Sequence, residues 1–200
     1  TDTELGDVGT LDHWSLEVLG DIANDNTTYV FTDEWNLVGT EAGRNTVLDQ
    51  GGSDTLNFAP MTSGVAVNLT PGAVSQVGNL PLIIDTETTL ENAIGGDGAD
   101  ILFGNAADNT LAGMRGNDRL EGKSGDDWLV GGAGDDVLVG GYGVDTAVFS
   151  GAKSNYAVLT QANGTTIVLD KTGADGIDEI SGIERLVFAD EMLVLGTVTS

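Results

Sequence analysis

The chain contains no cysteine in 200 residues, which removes disulfide frameworks, thiol nucleophiles and thiolate metal ligands at once. It has a single histidine, His13, and no HExxH, so the helical zinc-protease motif is absent. There is no GxSxG nucleophile elbow either. His13 reads as a surface residue, and nothing else offers a general base, so the chain is not itself read as an enzyme. Only 7 lysines and arginines stand against 32 acids, for a formal net charge of −25. Such a field repels nucleic-acid phosphates and anionic membranes. Aromatic residues make up 6%, little from which to build a sugar-stacking platform. No stretch has the length and apolarity of a membrane span, and no N-terminal signal peptide is visible. This much charge usually implies disorder, but a 40% hydrophobic share argues for a folded chain whose charge is neutralised by cations.

What the chain has in abundance is glycine and aspartate in fixed order. From Gly95 to Val148 it reads GGDGADILF, GNAADNTLA, GMRGNDRLE, GKSGDDWLV, GGAGDDVLV, GGYGVDTAV, six nonapeptides without insertion. Position 1 is always Gly, position 6 is Asp or Asn, and position 8 is Leu in five copies and Ala147 in the sixth. A flexible Gly/Asp linker or a merely solvated acidic face would not keep an apolar residue in register six times over. Glycines at positions 1, 2 and 4 allow a tight turn that aims carbonyl oxygens inward, and the position-6 carboxylate adds to them. Carbonyls with carboxylates are hard oxygen ligands suited to Ca²⁺. Positions 7–9 read as a short strand with its large side chain inside. Two nonapeptides then make one coil, copies n and n+2 stack, and the fold class is all-β: a calcium-binding parallel β-roll of solenoid type. Paired acids such as Asp126-Asp127 and Asp135-Asp136 recur at the repeat period, which suits ligand geometry rather than acid–base catalysis; the position-5 acid is expected to face solvent.

These repeats resemble the GGxGxDxUx nonapeptides of the repeats-in-toxin (RTX) family, where U is a large apolar residue. The stretch before them extends the likeness. NTVLDQGGSDTLNF, VAVNLTPGAVSQVG and TTLENAIGG follow in the order of similar segments in the C-terminal domain of serralysin-type metalloproteases. The resemblance implies that Asp49, Gly51, Gly52, Asp54, Thr89 and Glu91 hold the first ions. It also implies that positions 2, 4 and 6 of each nonapeptide are ligands. Those are Gly96, Gly98 and Asp100; Asn105, Ala107 and Asn109; Met114, Gly116 and Asp118; Lys123, Gly125 and Asp127; Gly132, Gly134 and Asp136; Gly141, Gly143 and Asp145. Met114 and Lys123 replace a glycine, but a backbone carbonyl needs no particular side chain. The copy from Gly104 lacks two glycines and the carboxylate, so the weakest binding is expected around Asn109. Four inter-turn sites and about two at the start give about six Ca²⁺ ions.

Residues 1–20 carry DVGTLDHWSL, in which Trp14, Leu16 and Val18 alternate as in a strand. They resemble the end of the P domain that follows proprotein-convertase-type subtilisin proteases. Residues 21–44 are read as a linker with the first strand, 45–148 as the roll, and 149–200 as a β-rich cap with a hairpin around Asn163-Gly164. The cap resembles the C-terminal regions of RTX proteins exported by type I secretion. Short β-hairpin elements are also expected at the N-terminus. The implied function is a non-catalytic, calcium-binding C-terminal module of a secreted, extracellular bacterial protein. Its upstream catalytic domain would be of subtilisin type, and its partners would be calcium and, in transit, the type I secretion machinery. The alternative is a module that attaches its protein to a cell surface or polysaccharide, for which an exposed line of Trp35, Trp128 and Tyr142 would speak.

Overall fold

The computed structural model describes residues 26–33, 45–49 and 51–195. The P-domain-like segment 1–20, most of 21–44 and the last five residues lie outside them, and so does Trp35. Six strands precede the repeats: β1 (Thr28–Val30), β2 (Thr46–Val47), β3 (Thr55–Asn57), β4 (Val65–Asn68), β5 (Val74–Val77) and β6 (Leu80–Ile84). The next seven belong to the approach and the nonapeptides: β7 (Asn92–Ile94), β8 (Ile101–Phe103), β9 (Thr110–Arg115), β10 (Arg119–Ser124), β11 (Trp128–Ala133), β12 (Val137–Tyr142) and β13 (Thr146–Val148). The last five are β14 (Tyr156–Thr160), β15 (Thr166–Asp170), β16 (Ile177–Ser181), β17 (Arg185–Val187) and β18 (Met192–Val194).

Successive repeat strands alternate between two sheets. One has the order β1-β3-β7-β9-β11-β13-β17-β18, the other β14-β15-β16-β12-β10-β8-β4-β5-β6-β2. Parallel neighbours need a crossover, and here each crossover is simply the strand and turns of the opposite side. The register has the expected step of two nonapeptides: Leu102↔Leu120↔Leu138 in one sheet and Leu111↔Leu129↔Ala147 in the other. These position-8 side chains are at most 1% exposed. Position 7 points outward at Trp128, 49% exposed, and at Arg119, whose side chain is 45% exposed, whereas Thr146 in the last copy is buried. The strands β9 to β12 are longer than the expected three residues, because pairing continues through positions 1–3 of the following copy.

The parallel ladders begin before the nonapeptides and do not stop with them. Tyr29 pairs with Leu56, Leu56 with Ala93 and Ala93 with Leu111, all buried. At the far end Leu138 pairs with Ile180 and Ala147 with Leu186. Only then do antiparallel strands close the sheets. The hairpin β14–β15, formed around Asn163-Gly164 as the sequence suggests, covers β16, and β18 covers β17. Open edges invite pairing with other chains; at this end the edge strands are the antiparallel β14 and β18. Phe149, Tyr156 and Phe188 fill the space beneath the cap, with ring centroids 5.1–5.4 Å apart.

Candidate cation sites in the turn rows

The turns between strands hold the chemistry. Gly134 has φ +143°, and a β-carbon there would lie 1.8 Å from the Gly116 carbonyl oxygen of the preceding coil. Only glycine permits that approach. Met114 (φ 81°) and Lys123 (φ 78°) hold left-handed backbone although neither is glycine, so the stacked turns impose the shape on residues that disfavour it. Lys123 is further held by hydrogen bonds from its ammonium to Asn68 Oδ1 (2.9 Å) and Thr70 Oγ1 (2.8 Å).

Each position-6 carboxylate uses one oxygen to stitch the coils. Asp118 Oδ1 accepts from Asp100 N–H at 2.7 Å, Asp136 Oδ1 from Asp118 at 2.8 Å, Asp127 Oδ1 from Asn109 at 2.7 Å, and Asp145 Oδ1 from Asp127 at 2.9 Å. The second oxygen is the informative one. Oδ2 of Asp118, Asp127, Asp136 and Asp145 is buried without a hydrogen-bond partner. Buried, unpaired carboxylate oxygens cost free energy unless something positive meets them. In the Gly113 turn, a β-carbon on Gly113 would stand 2.1 Å from Asp118 Oδ2 and 2.6 Å from the Gly131 carbonyl oxygen. The same pair of oxygens, one side-chain and one from the next coil's position 1, meets beside Gly95 and Gly104. Carbonyls of positions 2 and 4 also point at the following coil: a β-carbon on Gly132 would lie 2.1 Å from Met114 O, and one on Gly125 2.5 Å from Ala107 O. Among the described residues no three His, Cys, Asp or Glu side chains converge for a metal. A cation held here would need main-chain carbonyls beside the carboxylates.

The electrostatics agree. Burial pushes the Asp118 carboxyl up to about 7, with further help from Asp100 and Asp136, and it pushes Asp127 and Asp136 up to about 6. Asp100 and Asp145 rise for the same reason, although the Gly96 N–H at 2.7 Å partly relieves Asp100. Protein alone is a poor host for charge in these rows.

The other expected ligands are placed as follows. In the copy from Gly104, Asn109 Oδ1 accepts from Asn105 N–H at 2.8 Å, while the two amide groups donate to the carbonyls of Leu69, Leu90 and Glu91. At the start of the roll, Glu91 Oε2 accepts from Asp54 N–H at 2.9 Å, and Asp49 is bound by the Tyr29 hydroxyl and the Gly51 N–H. Thr89 is exposed, and it is Thr88 whose hydroxyl meets the Asp49 backbone. Position 5 does more than face solvent. Though exposed, Asp108, Asn117, Asp126 and Asp135 each accept a backbone N–H from the next coil, at 2.8–3.0 Å.

Two participants escaped the sequence reading. Asp178 Oδ1 accepts from Asp136 N–H (3.0 Å) and Glu184 Oε2 from Asp145 N–H (2.8 Å), so both occupy position 6 of a further coil. The signal was present: GADGIDEIS, residues 173–181, has Gly, Gly, Asp and Ile at positions 1, 4, 6 and 8.

A family model for the Peptidase M10 serralysin C terminal matches residues 24–197. Serralysin from Photorhabdus laumondii is 46% identical over 68 residues, 33% of this chain and 14% of that protein. Serralysin from Proteus mirabilis is 46% identical over 67 residues, 32% of this chain and 14% of that protein. The matched stretch is thus a small fraction of either relative's length. Among solved structures, the extracellular lipase LipA from Serratia marcescens aligns with TM-score 0.42 and 20% identity, covering 69% of this chain and 19% of that one.

Proposed function

The chain belongs to the serralysin C-terminal family, and from that premise we propose that it is a non-catalytic calcium module of a secreted bacterial protease, folding on Ca²⁺ after type I export and stabilising the exoprotein. The observation that carries this reading is the row of buried, unpartnered Oδ2 atoms on Asp118, Asp127, Asp136 and Asp145. Calcium would supply the positive charge those oxygens lack. In each interior site the position-6 Oδ2 and the carbonyls of positions 2 and 4 would bind it, with the position-1 carbonyl of the next coil. The Oδ1 ladder orients each carboxylate in the folded roll. Asp49, Gly51, Gly52, Asp54, Thr89 and Glu91 are the candidates for the first ions. Nothing in the described residues offers a catalytic pair, and the protease activity is assigned to a separate upstream domain. Its subtilisin type rests on the likeness of residues 1–20 to a P domain, which lies outside the described residues. No helix among the described residues is long and apolar enough to cross a membrane. Equilibrium dialysis of the full chain against calcium tests the proposal. Several saturable ions per chain, removed by EGTA and not replaced by equal magnesium, are expected; no saturable binding at millimolar calcium would sink it.

A further inference from the structure

In the interior turns Asp118 Oδ2 meets the position-1 carbonyl of the following coil beside Gly113, and Asp127 Oδ2 lies 2.1 Å from where a β-carbon on Gly122 would stand. Asp136 and Asp145 belong to the last pair of nonapeptides, with no further nonapeptide to stack on them, yet their Oδ2 atoms are just as buried and unpartnered. Asp145 is 0% exposed. Its oxygen does not face empty space. A β-carbon on Gly140 would lie 2.5 Å from Asp145 Oδ2 and 1.9 Å from the carbonyl oxygen of Gly182. This is the convergence seen beside Gly95, Gly104 and Gly113, with Gly182 in the place of the next coil's position 1. The Gly141 carbonyl oxygen, at position 2, lies 3.7 Å from where a β-carbon on Gly182 would stand.

Glu184 completes the comparison. Between Gly182 and Glu184 there is one residue, Ile183, whereas a nonapeptide has four between positions 1 and 6. The turn is three residues shorter, and a side chain one methylene longer spans the difference, so that Glu184 Oε2 reaches Asp145 N–H at 2.8 Å. At the other end of the same row Glu91 reaches Asp54 N–H at 2.9 Å in the same manner. Glu91 and Glu184 thus flank the aspartates and asparagine of the nonapeptide coils, and Asp54 stands beyond Glu91, accepting the Thr27 N–H at 2.7 Å.

We infer that a further divalent-cation site, of calcium type, closes this row where the roll meets its cap, built from Asp145, the Gly141 and Gly182 carbonyls and Glu184. It rests on the calcium reading above and adds to it a site that joins the last nonapeptide to residues beyond the repeats. Its consequence is that the cap is not merely a lid: the last ion ties β17 to the turn after β12, so the cap and the repeats fold as one unit.

The test is the number of ions bound by the full chain and by Glu184→Gln at saturating calcium, with far-UV circular dichroism on both. Glutamine keeps an acceptor for Asp145 N–H and removes only the charge. One ion fewer with an unchanged β spectrum is the expected result; an equal number overturns the site while leaving the interior sites standing. A parent chain that binds no calcium overturns the reading beneath it as well. A second measurement needs no variant. Gadolinium added below stoichiometry to the calcium-loaded parent should broaden the amide signals of Gly182 to Glu184 along with those of the interior turns. Sharp signals there beside broadened signals at Gly113–Asp118 would overturn the proposal.

Discussion

Within one nonapeptide, neighbouring residues have opposite duties. Leu120 is 0% exposed and paired on both sides by Leu102 and Leu138, whereas Arg119 next to it ends in an exposed ion pair with Glu121 at 3.1 Å. Leu120→Ala should cost about 2–5 kcal/mol, because coils of fixed spacing cannot collapse on the cavity. Arg119→Ala should cost well under 1 kcal/mol, in line with exposed ion pairs. Thermal melts in saturating calcium decide this, and equal losses would contradict the assigned alternation. Asp127 and Asp126 form a second contrast. Asp127→Ala deletes a buried oxygen of the cation row and the acceptor for Asn109 N–H. Asp126→Ala deletes one exposed acceptor, for Val144 N–H at 2.9 Å. The calcium midpoint for folding should move strongly upward in the first variant and slightly in the second; a larger shift for Asp126→Ala would reverse the roles. The hydrogen bond behind that small shift was not legible in the sequence. An exposed aspartate looks the same in sequence whether its oxygen faces water or an N–H 18 residues on.

Among the elements, the cap hairpin is organised by one carboxylate. Burial alone would raise the Asp170 pKa, but it accepts from the Thr172 hydroxyl (2.6 Å) and from the N–H groups of Thr172, Ala174 and Asp175, and these hold it at about 2. The folded pKa lies below the unfolded one, so the stabilisation is complete above about pH 4 and is lost as pH falls through about 2. Asp170→Asn should therefore melt below the parent at pH 6, and the gap should close between about pH 4 and 2; a gap independent of pH would rule this out. The hairpin also explains why part of the roll was hidden. Strands β8 to β13 were plain from a nine-residue period with a leucine at position 8. Residues 149–172, which hold β14 and β15, interrupt that period, and when the pattern resumes at Gly173 it does so for a single copy. A one-copy repeat carries no periodicity to detect. The shortened turn from Gly182 to Glu184 is further disguised, since its position 6 is a glutamate at the wrong spacing. At the opposite end, the pairing of Tyr29 with Leu56 is a contact between segments 27 residues apart that share no motif.

For the whole molecule the deciding quantity is charge. From Gly95 to Val148 there are ten acids and three bases, and the position-6 acids stack in two rows, with one oxygen left unpaired on Asp118, Asp127, Asp136 and Asp145. Without cations, that buried repulsion and desolvation are comparable with the whole stability of a small domain, about 5–15 kcal/mol. The core contributes one large apolar side chain per nonapeptide, which does not offset this together with the entropy of ordering the turns. On the proposed reading, calcium would remove the repulsion and fix the turns, so its binding energy would become folding energy. Extracellular calcium modules bind at about 10⁻⁴–10⁻³ M, far above cytosolic calcium. On the function proposed above, the chain would stay unfolded inside the cell, fit for threading through an exporter, and would fold outside. Since the cap continues both sheets and closes their ends, folding should begin at the capped C-terminal end and propagate coil by coil toward Asp49. Circular dichroism in EGTA should show an unfolded chain, and calcium titration should restore the β signal in a steep, cooperative step. A full β spectrum with an unchanged melting temperature in EGTA would refute the coupling. Hydrogen exchange during the titration sets the direction: amides of β12 and β13 should gain protection at lower calcium than those of β3 and β7, and the reverse order would place the nucleus at the other end.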